Sequence, residues 1–120
     1  MLRITEFLFN DHIMDSPEQY ENWKPEDPSE VDEWIKVLVG QSDGEGHWFQ
    51  VHLCTYAVMA NIKEKSSLFP IPYWESVDSL ITKLDKFIIN TLPDNLDLDN
   101  ENDYGVAMQN LGKYWSWEYG

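Results

Sequence analysis

The chain has 120 residues, with 22 acids against 8 Lys and Arg, a net charge of −14 and 14% aromatic residues. That length fits one domain, residues 1–120, able to bury about two-thirds of its unfolded surface, and the aromatic content argues against global disorder. The charge repels nucleic-acid phosphates and anionic headgroups and suits either a basic partner, steered into fast encounter, or solubility alone.

Residues 2–9, LRITEFLF, alternate in part and are rich in β-formers, which predicts a first strand. This start is too short and interrupted for a signal peptide, and no apolar run reaches the length of a membrane span, so a cytoplasmic protein is expected. Residues 11–33 are acid-rich, with prolines at 17, 25 and 28 that oppose a long helix or a central strand. Ser16 and Pro17 suit one helical turn, and the remainder reads as loop. Trp23 here, like Trp74 later, either folds its loop onto the body or anchors a partner; the first reading is preferred.

Residues 33–40, EWIKVLVG, predict a strand with Ile35, Val37 and Val39 on one face and Trp34, Lys36 and Leu38 on the other. GQSDGEG is a turn signal. HWFQVHLC then sets Phe49, Val51 and Leu53 against Trp48, Gln50, His52 and Cys54, completing a β-hairpin. Cys54 is the only cysteine, so an internal disulfide is excluded and a reducing compartment fits. TYAVMANIKEK suits a short helix capped by Thr55, with Val58, Met59 and Ile62 inward. Pro70 and Pro72 confine any strand in SSLFPIPYWES to a sheet edge.

A helix over 77–92 follows from the stripe Val77, Leu80, Ile81, Leu84, Phe87 and Ile88, with Ser76 as cap and Pro93 as stop. Asp78, Thr82, Lys83, Asp85 and Lys86 fall on its outside. DNLDLDNEND, residues 94–103, is a second acidic loop. Tyr104, Ala107, Met108 and Leu111 form another helical stripe that Gly112 should end. YWSWEY closes as a strand with Trp115, Trp117 and Tyr119 on one face. The sum is an α+β domain, an antiparallel sheet of four to five strands with two or three helices packed on it.

Catalytic and metal-binding patterns fail on spacing. His47 and His52 lie five apart in one strand and point to opposite faces. His12 would need help from neighbouring acids to hold a metal. A calcium loop starting at Asp97 has Asn102 where glycine belongs and Met108 where the bidentate glutamate belongs. No nucleophile elbow or phosphate loop is present. The paired carboxylates lie in solvated loops, where nothing separates their pKa values. Aromatics interleaved with acids oppose direct nucleic-acid binding. No enzyme activity, cofactor, metal or membrane contact is expected.

The order of several short motifs resembles the immunity protein 8 family of bacterial toxin-neutralising proteins. The matching residues are Pro25-Glu26-Asp27-Pro28, then Gly40, Gly44 and Gly46, then Phe49-Gln50-Val51 running into Cys54-Thr55. At the C-terminus, Leu111, Tyr114, Trp117, Glu118 and Tyr119 match. Tyr56 departs from the proline that often follows the Cys-Thr pair. The resemblance covers most of the chain. It implies a cytoplasmic, non-catalytic antidote to a polymorphic toxin such as those of contact-dependent growth inhibition, and a monomer is expected. Its partner would be the cognate toxin's C-terminal domain, and many such toxins are nucleases whose basic surfaces hold phosphates. An acidic inhibitor complements that surface. The expected contacts are Glu18, Glu21, Glu26, Asp27 and Glu30, with Asp94, Asp97, Asp99 and Glu101 as a second patch. The alternative is a generic acidic adaptor, or a nucleic-acid mimic that inhibits another basic protein.

Overall fold

The first strand, β1 (Arg3–Phe9), pairs antiparallel with β2 (Asp32–Gly40), which pairs antiparallel with β3 (His47–Thr55). The structure, a computed structural model, describes residues 1–9, 23–42 and 44–118. Ile35 lies opposite Val51 and Val37 opposite Phe49, so the apolar faces of the two hairpin strands coincide, and all four residues are fully buried. The turn that joins them needs its glycines. Gly44 and Gly46 have φ of 76° and 135°, and a Cβ on Gly46 would strike the Val39 carbonyl.

β4 (Leu68–Ile71) pairs with β3 in parallel, which departs from an all-antiparallel sheet. The cause is the connection. Residues 56–67 are long enough for the crossover that parallel pairing requires. Its edge position tolerates Pro70, as the prolines imply. The crossover holds α1 (Tyr56–Met59), a single turn with no buried residue. Of the residues expected to face inward, only Ile62, beyond the helix, is buried. Thr55 does not cap α1 with its side chain. Its hydroxyl donates to the Ser29 carbonyl at 2.6 Å and accepts from the Val31 amide at 3.0 Å.

α2 (Val77–Thr91) starts where Ser76 accepts a hydrogen bond from the Ser79 amide at 3.0 Å. It buries Val77, Leu80, Leu84 and Ile88 in one cluster with the inner faces of β1, β2 and β3. Asp85, expected on the outside, accepts from the Ile4 amide at 2.7 Å, beside a register shift in β1. α3 (Glu101–Leu111) is capped by Asn100, whose side chain accepts from the Asn102 and Asp103 amides, and it buries Ala107, Met108 and Leu111. Gly112 follows it with φ of −61°, so the helix ends without a left-handed residue. The last strand, β5, shrinks to Ser116–Trp117. It shares one edge of β3 with β4, pairing at Phe49 and Gln50 while β4 occupies His52 to Thr55. Trp115 lies in the core, its ring stacked 5.1 Å from Phe87. Tyr119 lies outside the described residues.

Among the described residues the architecture is therefore α+β, a mixed five-stranded sheet with three helices and one hydrophobic core. No helix among them is long and apolar enough to cross a membrane.

Candidate functional site

Five of the carboxylates singled out in the sequence line two clefts, Glu26, Asp27 and Glu30 the first and Asp99 and Glu101 the second. The first cleft, about 440 Å³, opens between Trp23 and the start of β2 and is edged by Glu26, Asp27, Glu30 and Asp32. Its loop is tied down at several points. The Thr55 amide donates to the Val31 carbonyl at 2.9 Å, and the Trp74 amide donates to the Pro28 carbonyl at 2.7 Å. The Trp23 ring packs 4.5 Å from Phe9 and 4.8 Å from Trp74, and Trp74 is buried. The tryptophans thus fold the acidic loop onto the body, and Glu26, Asp27 and Glu30 are left exposed. Asp27 also shapes the loop. Its carboxylate accepts from the Ser29 amide at 2.9 Å and the Ser29 hydroxyl at 2.8 Å, which holds its pKa below the usual range. Glu18, Glu21 and His12 lie outside the described residues.

Asp32 also reaches the outer face of the sheet. It pairs with Nε2 of His52, a buried ring stacked 4.6 Å from Trp34. His47 faces the helices instead, so the two histidines occupy opposite faces as their spacing implies. Among the described residues no group of three His, Cys, Asp or Glu side chains converges with metal-ligand spacing.

The second cleft, about 470 Å³, lies between the β2–β3 turn and the start of α3. Its rim carries Glu45, Asp99 and Glu101, and its floor is built from His47, Tyr104, Met108 and Trp117. The Gln41 side-chain amide donates to the Leu98 carbonyl at 3.0 Å and ties the two walls together. The Ser42 hydroxyl donates to Glu45 Oε2 at 2.9 Å and fixes that carboxylate. Burial, and secondarily the Glu45 charge, raises the Tyr104 phenol above its ordinary pKa. Asp97 is occupied locally. Its carboxylate accepts from the Asp99 amide at 3.1 Å, while its own amide donates to Asp103 at 2.9 Å. Asp94 is exposed and does not line the cleft.

The two clefts sit at opposite ends of β2, whose nine residues separate them by on the order of 25 Å. Among the described residues the structure places the expected carboxylates in two separate groups. It adds Glu45, Tyr104 and Trp117 to the second group. In the sequence Glu45 reads only as a turn residue and the two aromatics only as a helix stripe and a strand face. The one available signal was an acid in a turn followed by a second acid run, and only the folded hairpin brings them together.

A family model described as Immunity protein 8 matches residues 9–120. No curated protein and no solved structure matches the chain significantly. The match covers nearly the whole domain, including the pinned Pro25–Pro28 loop, the glycine turn and the Cys54-Thr55 clasp. The chain belongs to the immunity protein 8 family, which implies that it neutralises a toxin.

Proposed function

We propose that the protein binds the C-terminal domain of its cognate toxin and blocks it without catalysis, and that this toxin is a basic nuclease. The observation that carries the reading is family membership joined to a net charge of −14. The first cleft supports it further. Its carboxylates stand on a loop that the Thr55 hydroxyl and the Trp23–Trp74 pair hold in place, and a pinned loop loses less entropy on binding. In this reading a monomer acts in the cytoplasm, and Glu26, Asp27 and Glu30, with Asp99 and Glu101, face the toxin. Glu18, Glu21, Asp94 and Asp97 are further contacts in the same proposal.

The test is a binding titration against the cognate toxin domain, run at two salt concentrations with a thermal melt of each variant. Reversal of Glu26, Asp27 and Glu30 to lysine should leave the fold intact, at about 0.5 kcal/mol or less for each of Glu26 and Glu30, while Asp27 also gives up its hydrogen bonds to Ser29. It should weaken binding by about tenfold or more, most strongly at low salt. The companion variant reverses only Asp99 and Glu101. Unchanged affinity in both folded variants would remove the acidic loops from the interface.

A further inference from the structure

We infer that the second cleft is a socket for an arginine side chain of the toxin domain. The inference rests on the neutralising function proposed above and names what one end of the molecule recognises.

Gly105 supplies the first observation. It stands inside α3, where glycine costs about 1 kcal/mol relative to alanine. Packing does not demand it, because a Cβ built there would meet no atom within 4 Å. Its φ is not in the left-handed region. Gly105 lines the cleft, so the missing side chain leaves open space there. Gly105 therefore leaves space in the cleft that a larger side chain would take up. The turn glycines differ, since Gly40 and Gly46 are demanded by direct backbone approach.

The walls name the occupant's chemistry. Glu45, Asp99 and Glu101 bring carboxylates to the rim, and Glu45 is already oriented by Ser42. Tyr104 and Trp117 line the space below them together with His47, whose ring packs 5.8 Å from Tyr104 and 5.4 Å from Trp117. The positive end of α3 opposes a cation with about half a charge, which three rim carboxylates outweigh. A cation set between carboxylates and aromatic rings is attracted by both. Arginine fits better than lysine. Its planar guanidinium stacks on a ring, reaches carboxylates on two sides at once and is more weakly hydrated. The Gln41–Leu98 bond holds the walls together before binding, so little ordering remains to be done. The volume lies within the range of about 300–1,000 Å³ that ligand pockets occupy.

The test uses a catalytically inactivated form of the cognate toxin domain, titrated by calorimetry into wild type, Gly105→Ala, Gly105→Gln and Glu45→Gln, each with a thermal melt. Gly105→Gln should melt at or above wild type, because it improves helix propensity, and yet bind about tenfold or more weakly. Gly105→Ala should bind between the two, and Glu45→Gln should bind more weakly with reduced salt dependence. One arginine of the toxin, changed to lysine, should lose affinity for wild type and lose no more against Gly105→Gln. That coupling identifies the occupant. Wild type that fails to bind at all overturns the proposed pairing with this toxin domain and this inference with it. Wild type that binds, with Gly105→Gln within twofold of it, overturns the socket alone. If Gly105→Gln melts several degrees low, Gly105→Ala and Glu45→Gln decide by the same criterion. Coupling to a lysine of the toxin, and to none of its arginines, also overturns the assignment.

Discussion

Thr55 shows how one hydroxyl joins a loop to a sheet. Its side chain donates to Ser29 and accepts from Val31, and the residue is fully buried. Thr55→Val keeps the shape but leaves the Val31 amide and the Ser29 carbonyl without this partner. The expected loss is about 1–3 kcal/mol in denaturant unfolding, with faster hydrogen exchange at Val31. A loss within error would mean that the loop is held by its aromatics alone. Tyr104 offers a second readout. Its folded pKa is raised, so the stability it contributes is complete below the unfolded value near 10 and is lost as pH rises through the folded pKa. Tyrosinate absorbance should therefore show the Tyr104 phenol titrating late. Glu45→Gln should move it back only partway, because burial is the larger cause.

At the scale of the element, α2 combines two kinds of attachment. Leu84 is fully buried against the sheet, and Leu84→Ala should cost about 2–5 kcal/mol. Asp85, the next residue, holds the Ile4 amide at the irregularity in β1. Asp85→Ala should cost about 1–3 kcal/mol by leaving that part-buried amide unpaired. Chemical denaturation of both variants checks the pair. A small effect at Leu84 would place the helix elsewhere, and a small effect at Asp85 would mean that water replaces the carboxylate. β4 and β5 carry a related lesson. Each is short because they divide one edge of β3 between them.

Across the whole molecule the charge acts as a field. With 22 acids and 8 Lys and Arg, self-repulsion opposes the folded state and salt screens it. The ion pairs Lys36–Glu118 and Lys83–Glu75 are partly exposed and contribute little against it. Thermal stability should rise between low salt and a few tenths molar sodium chloride, while the toxin association rate falls over the same range. Calorimetry and stopped-flow binding measure the two. A melting temperature that falls with salt would mean that attractive pairs dominate. The acidic clefts at both ends of β2 also set a geometric limit. One partner that touched both would have to span on the order of 25 Å, close to the full width of a standard interface of about 800 Å² per side.

Local chemistry alone determined α2 and the β2–β3 hairpin. The spacing of Val77, Leu80, Leu84 and Ile88 needs no distant partner to be read, nor do the glycines of the turn, whereas for Trp23 and Trp74 the sequence left both burial and a partner contact open, with burial preferred. The tertiary structure decided what depends on residues far apart in the chain. Thr55 looked like a helix cap until Ser29 and Val31 lay beside it. Asp85 looked solvent-facing until the irregular β1 offered an unpaired amide. β4 became parallel because its crossover passes back along β3. Glu45 met Asp99, Tyr104 and Gly105 only when the hairpin folded against α3. Periodicity reports which side of an element is apolar. It carries no information about which distant side chains that packing brings within a few ångströms.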